Sequence, residues 1–97
     1  MPIPKKHLQD LIELFASVRS EKEAKLLLED ILTPQELESL AERWQLVQEL
    51  GKGTAQRDIA EKLHLSISKV TRGSRQMQYG SGGFAHFLKK LGKKIKT

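Results

Sequence analysis

Apolar residues recur at three- and four-residue intervals along nearly the whole chain, while period-two alternation is almost absent. That spacing restricts the fold to amphipathic helices and leaves no segment that reads as a strand. Leu8, Leu11, Ile12, Phe15 and Val18 form the first stripe, predicting a helix from about Lys5 to Val18. Ser20 followed by Glu23 has the form of a capping box, in which the two side chains satisfy backbone N–H groups that a helix start leaves unpaired. Ala24, Leu27, Leu28 and Ile31 then mark a second helix, about 21–31.

The third start signal is the most complete. Thr33 is placed to cap, Pro34 stands at the first helical position, and Glu36 closes the box. Leu37, Leu40, Ala41, Trp44, Val47 and Leu50 are expected on the buried face of a long helix, about 34–51, with Gly51 and Gly53 as the stop. Trp44 reads as a core or interface anchor. Thr54 is expected to cap a short helix of about 55–62 carrying Ile59, Ala60 and Leu63. After His64 and Leu65, Ser66 caps a helix of about 67–78 with Ile67 and Val70 facing inward and Tyr79 packing at its end. Gly80-Ser81-Gly82-Gly83 follows no strand and reads as a linker. Phe84, Phe87, Leu88 and Leu91 mark a last helix, 82–92, before a frayed tail of 93–97.

A chain of 97 residues is one domain's worth. At this size about 60–65% of the unfolded surface is buried, so the core is thin and association is a common remedy. The expected organisation is a single domain over 1–97, with N-terminal dimerisation helices (5–51), a central unit (54–78) and a C-terminal helix (82–92). There is no cysteine, which excludes disulfides and cysteine-ligated zinc. His7, His64 and His86 are too far apart for metal-ligand spacing. No metal site is expected, and no nucleophile–base pair or phosphate-cradling loop points to an enzyme. No apolar run is long enough for a membrane span, and His7, Gln9, Asp10 and Glu13 interrupt any secretory core near the N-terminus. The expectation is a cytoplasmic protein with no membrane partner.

Charge is unevenly placed. The net charge is +5, but residues 1–48 hold 6 Lys/Arg against 9 Asp/Glu, and residues 49–97 hold 11 against 3. An acidic half joined to a basic half suggests a scaffold carrying a polyanion-binding surface. The same charges also suit a solvated face with a lysine tail. Lys89, Lys90, Lys93, Lys94 and Lys96 fit a phosphate grip and a solvated tail equally well.

Gln56 to Arg75 has helix-turn-helix form. Ala60 is small where two helices touch, and His64 stands where the turn needs a left-handed residue, a conformation His tolerates better than most. Val70 locks the second helix onto Ile59, Leu63 and Leu65. The outer face of that helix carries Ser66, Ser68, Lys69, Thr71, Arg72 and Arg75, and no acid follows Glu61. Hydroxyls and cations suit base edges and phosphates, and the first turn of such a helix enters the major groove. Gln56, Arg57 and Lys69 are candidate phosphate contacts, as is Arg75. Ser66, Ser68, Lys69 and Thr71 are candidate base readers. A plain helical hairpin with a basic face is the alternative.

Leu32-Thr33-Pro34-Gln35-Glu36, Arg43, Ala55-Gln56-Arg57-Asp58-Ile59 and Ile67-Ser68-Lys69-Val70-Thr71-Arg72-Gly73-Ser74 together resemble the tryptophan repressor family. The resemblance covers about residues 28–78, with Thr71-Arg72-Gly73-Ser74 its most specific part. It implies an all-α, intertwined homodimer of about six helices per chain, reading a palindromic operator in double-stranded DNA, with L-tryptophan as corepressor and no cofactor required for folding. It further implies that Arg43 and Arg72 sandwich the indole ring, that Arg72 pairs with the carboxylate, and that Leu32 and Thr33 of the partner receive the ammonium. A guanidinium can both stack on a ring and fork to a carboxylate. Gly73 is expected to leave space for the ligand, and Gln76 stands where the family has a serine near its ammonium. Other departures are Asp30 for a leucine, Lys69 for a threonine, and a loop before Thr54 that is one residue shorter. The end from Gln76 to Gly80 is similar to a related branch of repressor-like proteins. The resulting expectation is a bacterial transcriptional repressor. A ligand-independent regulator, a protein-interaction adaptor and a nonspecific RNA or nucleoid binder are the alternatives.

Overall fold

The computed structural model describes residues 2–95. Lys96 and Thr97, the end of the expected tail, lie outside the described residues. Six helices follow in order: α1 Lys5–Ala16, α2 Glu21–Ile31, α3 Pro34–Lys52, α4 Gln56–Leu63, α5 Ile67–Tyr79 and α6 Gly83–Lys90. Among the described residues there is no strand, so the all-α expectation holds. Among the described residues no helix is long and apolar enough to cross a membrane. The chain divides into two compact units, Met1–Leu37 and Glu38–Thr97.

In the first unit, α1 stops two residues before the expected Val18. The Ser17 hydroxyl donates to the Leu14 carbonyl at 2.6 Å and satisfies the frayed end. The α2 cap forms as expected: the Glu23 N–H donates to Ser20 Oγ at 3.1 Å, and Glu23 takes the Arg19 N–H at 2.8 Å. Thr33 and Glu36 exchange both bonds of the box, at 2.9 and 3.1 Å. Neither α1 nor α2 buries a residue, so Leu8, Leu11, Ile12 and Phe15 form an apolar stripe on α1 that stays exposed in the single chain.

In the second unit the core is small. Leu46, Ile59 and Val70 form its centre, with Leu50, Ala60, Leu63 and Leu65 packed around them. On α3 the expected face is buried in part, toward the C-terminal end, with Leu50 packed against the core. Leu46 and Val47 are buried, whereas Leu40 and Ala41 are exposed and Trp44 is half-buried. Gly51 does not end α3. It lies in the last turn, where a Cβ would meet Leu88 Cδ1 and the Lys94 carbonyl at 3.0 Å, so the missing side chain lets fully buried Leu88 of α6 approach. The stop is Gly53, whose φ of 85° is a conformation that side chains oppose.

Thr54 does not cap α4. Ala55 takes that position without a side-chain bond, and the Thr54 hydroxyl donates instead to Glu49 Oε1 at 3.0 Å. Glu49 is the buried acid that sequence reasoning passed over. Its other oxygen accepts from Lys62 of α4 at 3.0 Å and from Lys52 at 3.2 Å. The Lys62 ammonium holds this carboxyl below the ordinary glutamate range, with Lys52 and Thr54 adding to it and burial pushing the other way. A carboxyl depressed in the folded state stabilises the fold above the unfolded glutamate value of about pH 4.3, and that contribution fades as pH falls through the lower folded value. Melting temperature should therefore drop between pH 5 and 3, and Glu49→Gln should flatten that drop in a thermal melt series.

α6 is shorter than the expected 82–92. Gly82 supplies a left-handed start at φ 89°, and the helix ends at Lys90 with Leu91 outside it. Four expected packing residues of α5 and the C-terminal segment are exposed: Ile67, Phe87, Leu91 and Tyr79, the last at 81%. Tyr79 closes α5 on the solvent side.

Candidate nucleic-acid interface

The chemistry of the second unit rests on how α4 is joined to α5. α4 ends at Leu63, and His64 follows at φ 56° and ψ 44°, the left-handed conformation its position requires. The Leu65 N–H reaches back to the Ala60 carbonyl at 2.9 Å, closing the turn over the small side chain of Ala60. Ser66 then starts α5, its Oγ accepting the Lys69 N–H at 3.2 Å. Ile59 and Val70, both fully buried, hold the helices together. Each residue chosen for the packing of this hairpin does the work expected of it, except the outward-facing Ile67.

Ser66, Ser68, Lys69, Arg72 and Arg75 are exposed on α5, and Arg57 is exposed on α4. Thr71 and Gln56 are half-buried and joined: the Thr71 hydroxyl lies 3.0 Å from Gln56 Oε1 and 2.9 Å from the Ile67 carbonyl. Gln56, the first residue of α4, is thus held by α5. Ser66 spends an acceptor site on its cap, leaving its proton to give. With hydroxyls and three cations on one helix, this surface attracts phosphates and carries groups able to read base edges.

Beside α5 lies a cleft of about 470 Å³, lined from α3 by Glu42, Arg43 and Leu46 and from α5 by Lys69, Arg72, Gly73 and Gln76, with Phe84 contributing from α6. Four of the six residues expected to hold a ligand are therefore brought together. Neither arginine makes an ion pair among the described residues. Leu32 and Thr33 belong to the other unit, where Leu32 is half-buried and the Thr33 hydroxyl is taken up by its capping box. Gly73 lines the cleft and also serves the core: a Cβ there would stand 2.7 Å from Leu46 Cδ2 and 3.2 Å from Leu46 Cγ, so the missing side chain makes room for the α3 core side chain as well. Among the described residues no group of acids and histidines could hold a metal.

An all-helical chain with a basic helix-turn-helix defines the class of helical helix-turn-helix proteins. Comparison with known proteins narrows that class. The family model described as Trp repressor protein matches residues 6–92. A Trp operon repressor homolog of Xylella fastidiosa is 38% identical over 81 residues, covering 82% of this chain and 86% of that one. One of Vibrio campbellii is 36% identical over 87 residues, covering 89% and 87%. The crystal structure of a TrpR-like protein from Eubacterium eligens matches with a TM-score of 0.87 at 28% identity, over 95% of each chain. The chain belongs to the Trp repressor family, a family of transcriptional regulators.

Proposed function

We propose that this protein is a sequence-specific DNA-binding repressor that works as a homodimer on a palindromic operator, with a small ligand of the L-tryptophan type in the cleft as corepressor. The observation that carries the reading is the exposed, acid-free face of α5, locked by buried Val70 onto α4. Ser66, Ser68 and Lys69 stand in or beside the first turn, the part of such a helix that enters the major groove. Arg57, Arg75 and Gln56 flank it as phosphate contacts, and Thr71 reads beside them. The bare apolar stripe of α1 supports the homodimer, since a second copy removes that surface from water.

In the cleft, Arg43 and Arg72 would stack on a planar ring, Arg72 would take a carboxylate, and Gln76 would bond a polar group; that all three line it supports this reading. Leu32 and Thr33 would enter from the partner. A ligand that needs the reading head in one position would bind more tightly with DNA present, and the reverse, by linkage.

Selection from a randomised duplex pool tests the repressor reading. A two-fold symmetric site should be enriched, and failure of any sequence to enrich argues for an adaptor or a nonspecific polyanion binder. Arg75→Ala should weaken binding to all duplexes alike, by several-fold, with a shallower salt dependence. A changed base preference would instead make Arg75 a base reader. Calorimetry with L-tryptophan on the wild type and on Arg72→Ala tests the corepressor. Heat from the first and none from the second is expected, and no heat from either removes tryptophan from the account.

A further inference from the structure

Of the three cations on α5, Lys69 alone has an acid partner among the described residues. Its Nζ lies 3.3 Å from Glu42 Oε1 on α3, 27 residues earlier, and both side chains line the cleft. Lys69 is the third residue of α5, in the turn that a recognition helix presents to DNA. The pair therefore draws an ammonium from the reading end of α5 toward the cleft. Exposed pairs of this kind are weak and screened by salt, so this one can be broken when phosphates compete for the lysine.

We propose that the Glu42–Lys69 pair is an autoinhibitory contact: Glu42 holds the Lys69 ammonium on the cleft side of α5 and lowers the affinity for DNA. The proposal rests on the DNA-binding reading above. Lys69 is free to move because 59% of its side chain is exposed and its stem is flexible, and Glu42 is anchored on the same helix as the buried Leu46 and Val47. Binding DNA through Lys69 means giving up the pair and leaving Glu42 to recruit a counter-ion. Anything in the cleft that engages Glu42 acts on DNA affinity through the same lysine.

The test is a double-mutant cycle read by DNA affinity, using the full chain, the selected duplex and a random duplex, at several salt concentrations. Glu42→Gln should raise affinity about two- to five-fold on both duplexes, the range an exposed pair can supply. It should also steepen the dependence of log affinity on log salt by up to about one, the signature of one more phosphate neutralised. In a Lys69→Met background the same Glu42→Gln change should have no effect. Circular dichroism establishes that all four proteins are folded. An equal gain in the Lys69→Met background would overturn the proposal, because Glu42 would then be acting by repelling DNA. No gain in either background would overturn it as well. Absence of DNA binding by the wild type and every variant would sink the repressor reading itself, a result distinct from both.

Discussion

Replacing Ile59 with alanine should cost about 2–5 kcal/mol, the range for truncating a buried branched side chain. The site lies at the upper end for a structural reason. Ile59 is fully buried at the meeting point of α3, α4 and α5, and among the described residues its core cluster has Leu46 and Val70 as the other buried members. A small cluster has few neighbours able to collapse into the space left behind. The whole fold of a chain this size is worth about 5–15 kcal/mol. One methyl-rich side chain is thus a large share of what keeps α5 in place. Thermal and urea melts should show the loss, and DNA affinity should fall with it although Ile59 touches no solvent. Arg57→Ala, an exposed neighbour two residues earlier, should change stability by no more than about 0.5 kcal/mol. Comparable losses at both positions would mean that the hairpin is held by something other than this core.

Gly73→Val should destabilise the fold by about 1–3 kcal/mol, the usual range for overpacking. The simple expectation for glycine inside a helix is the opposite, since most replacements restrict the unfolded chain and improve helix propensity. At Gly73 the Cβ position is already within 2.7 Å of a Leu46 methyl, and Leu50 Cδ1 is at 3.5 Å. Valine adds two further methyl groups on that side and forces α5 away from α3. Leu46→Ala in the same protein should recover part of the loss, because it removes the atoms that valine meets. Melting of the apo protein separates this account from one in which Gly73 only leaves space for a ligand. In that second account the apo protein would be no less stable with valine, and only ligand affinity would fall.

Much of this was legible in the residues alone, and the pattern of success has a physical basis. Helix starts carried by a side chain, at Ser20, Thr33 and Ser66, were read to the residue because a cap is a local interaction between neighbours in sequence. The left-handed turn at His64 and the lock of Val70 onto Ile59 followed from packing demands that act within some ten residues. What could not be read depends on distant partners. Gly51 resembled a stop signal until Leu88, 37 positions later, was found against it. Thr54 resembled a cap, but Glu49 had the better claim on its hydroxyl. Glu49 itself gave no signal, because a buried acid is recognised only by the cations that gather on it. Along α3, Val47 is buried as its spacing predicts while Leu40 and Ala41 are exposed, since spacing along a helix does not say how much of an apolar face the same chain covers.

The candidate site shows the same division. Arg43 and Arg72 lie 29 residues apart, and only the resemblance to the family joined them before the cleft did. The exposed face of α5 was visible directly, as a run of hydroxyls and cations at helical spacing without an acid. Its link to Glu42 was not, because nothing in the local sequence of either residue names the other.

The most direct measurement is the ratio of affinities for the selected duplex and a random duplex of equal length, taken at one fixed salt concentration. A rigid recognition helix presented twice by a dimer predicts a ratio of about 10³ or more. Equal affinities for the two duplexes would contradict it.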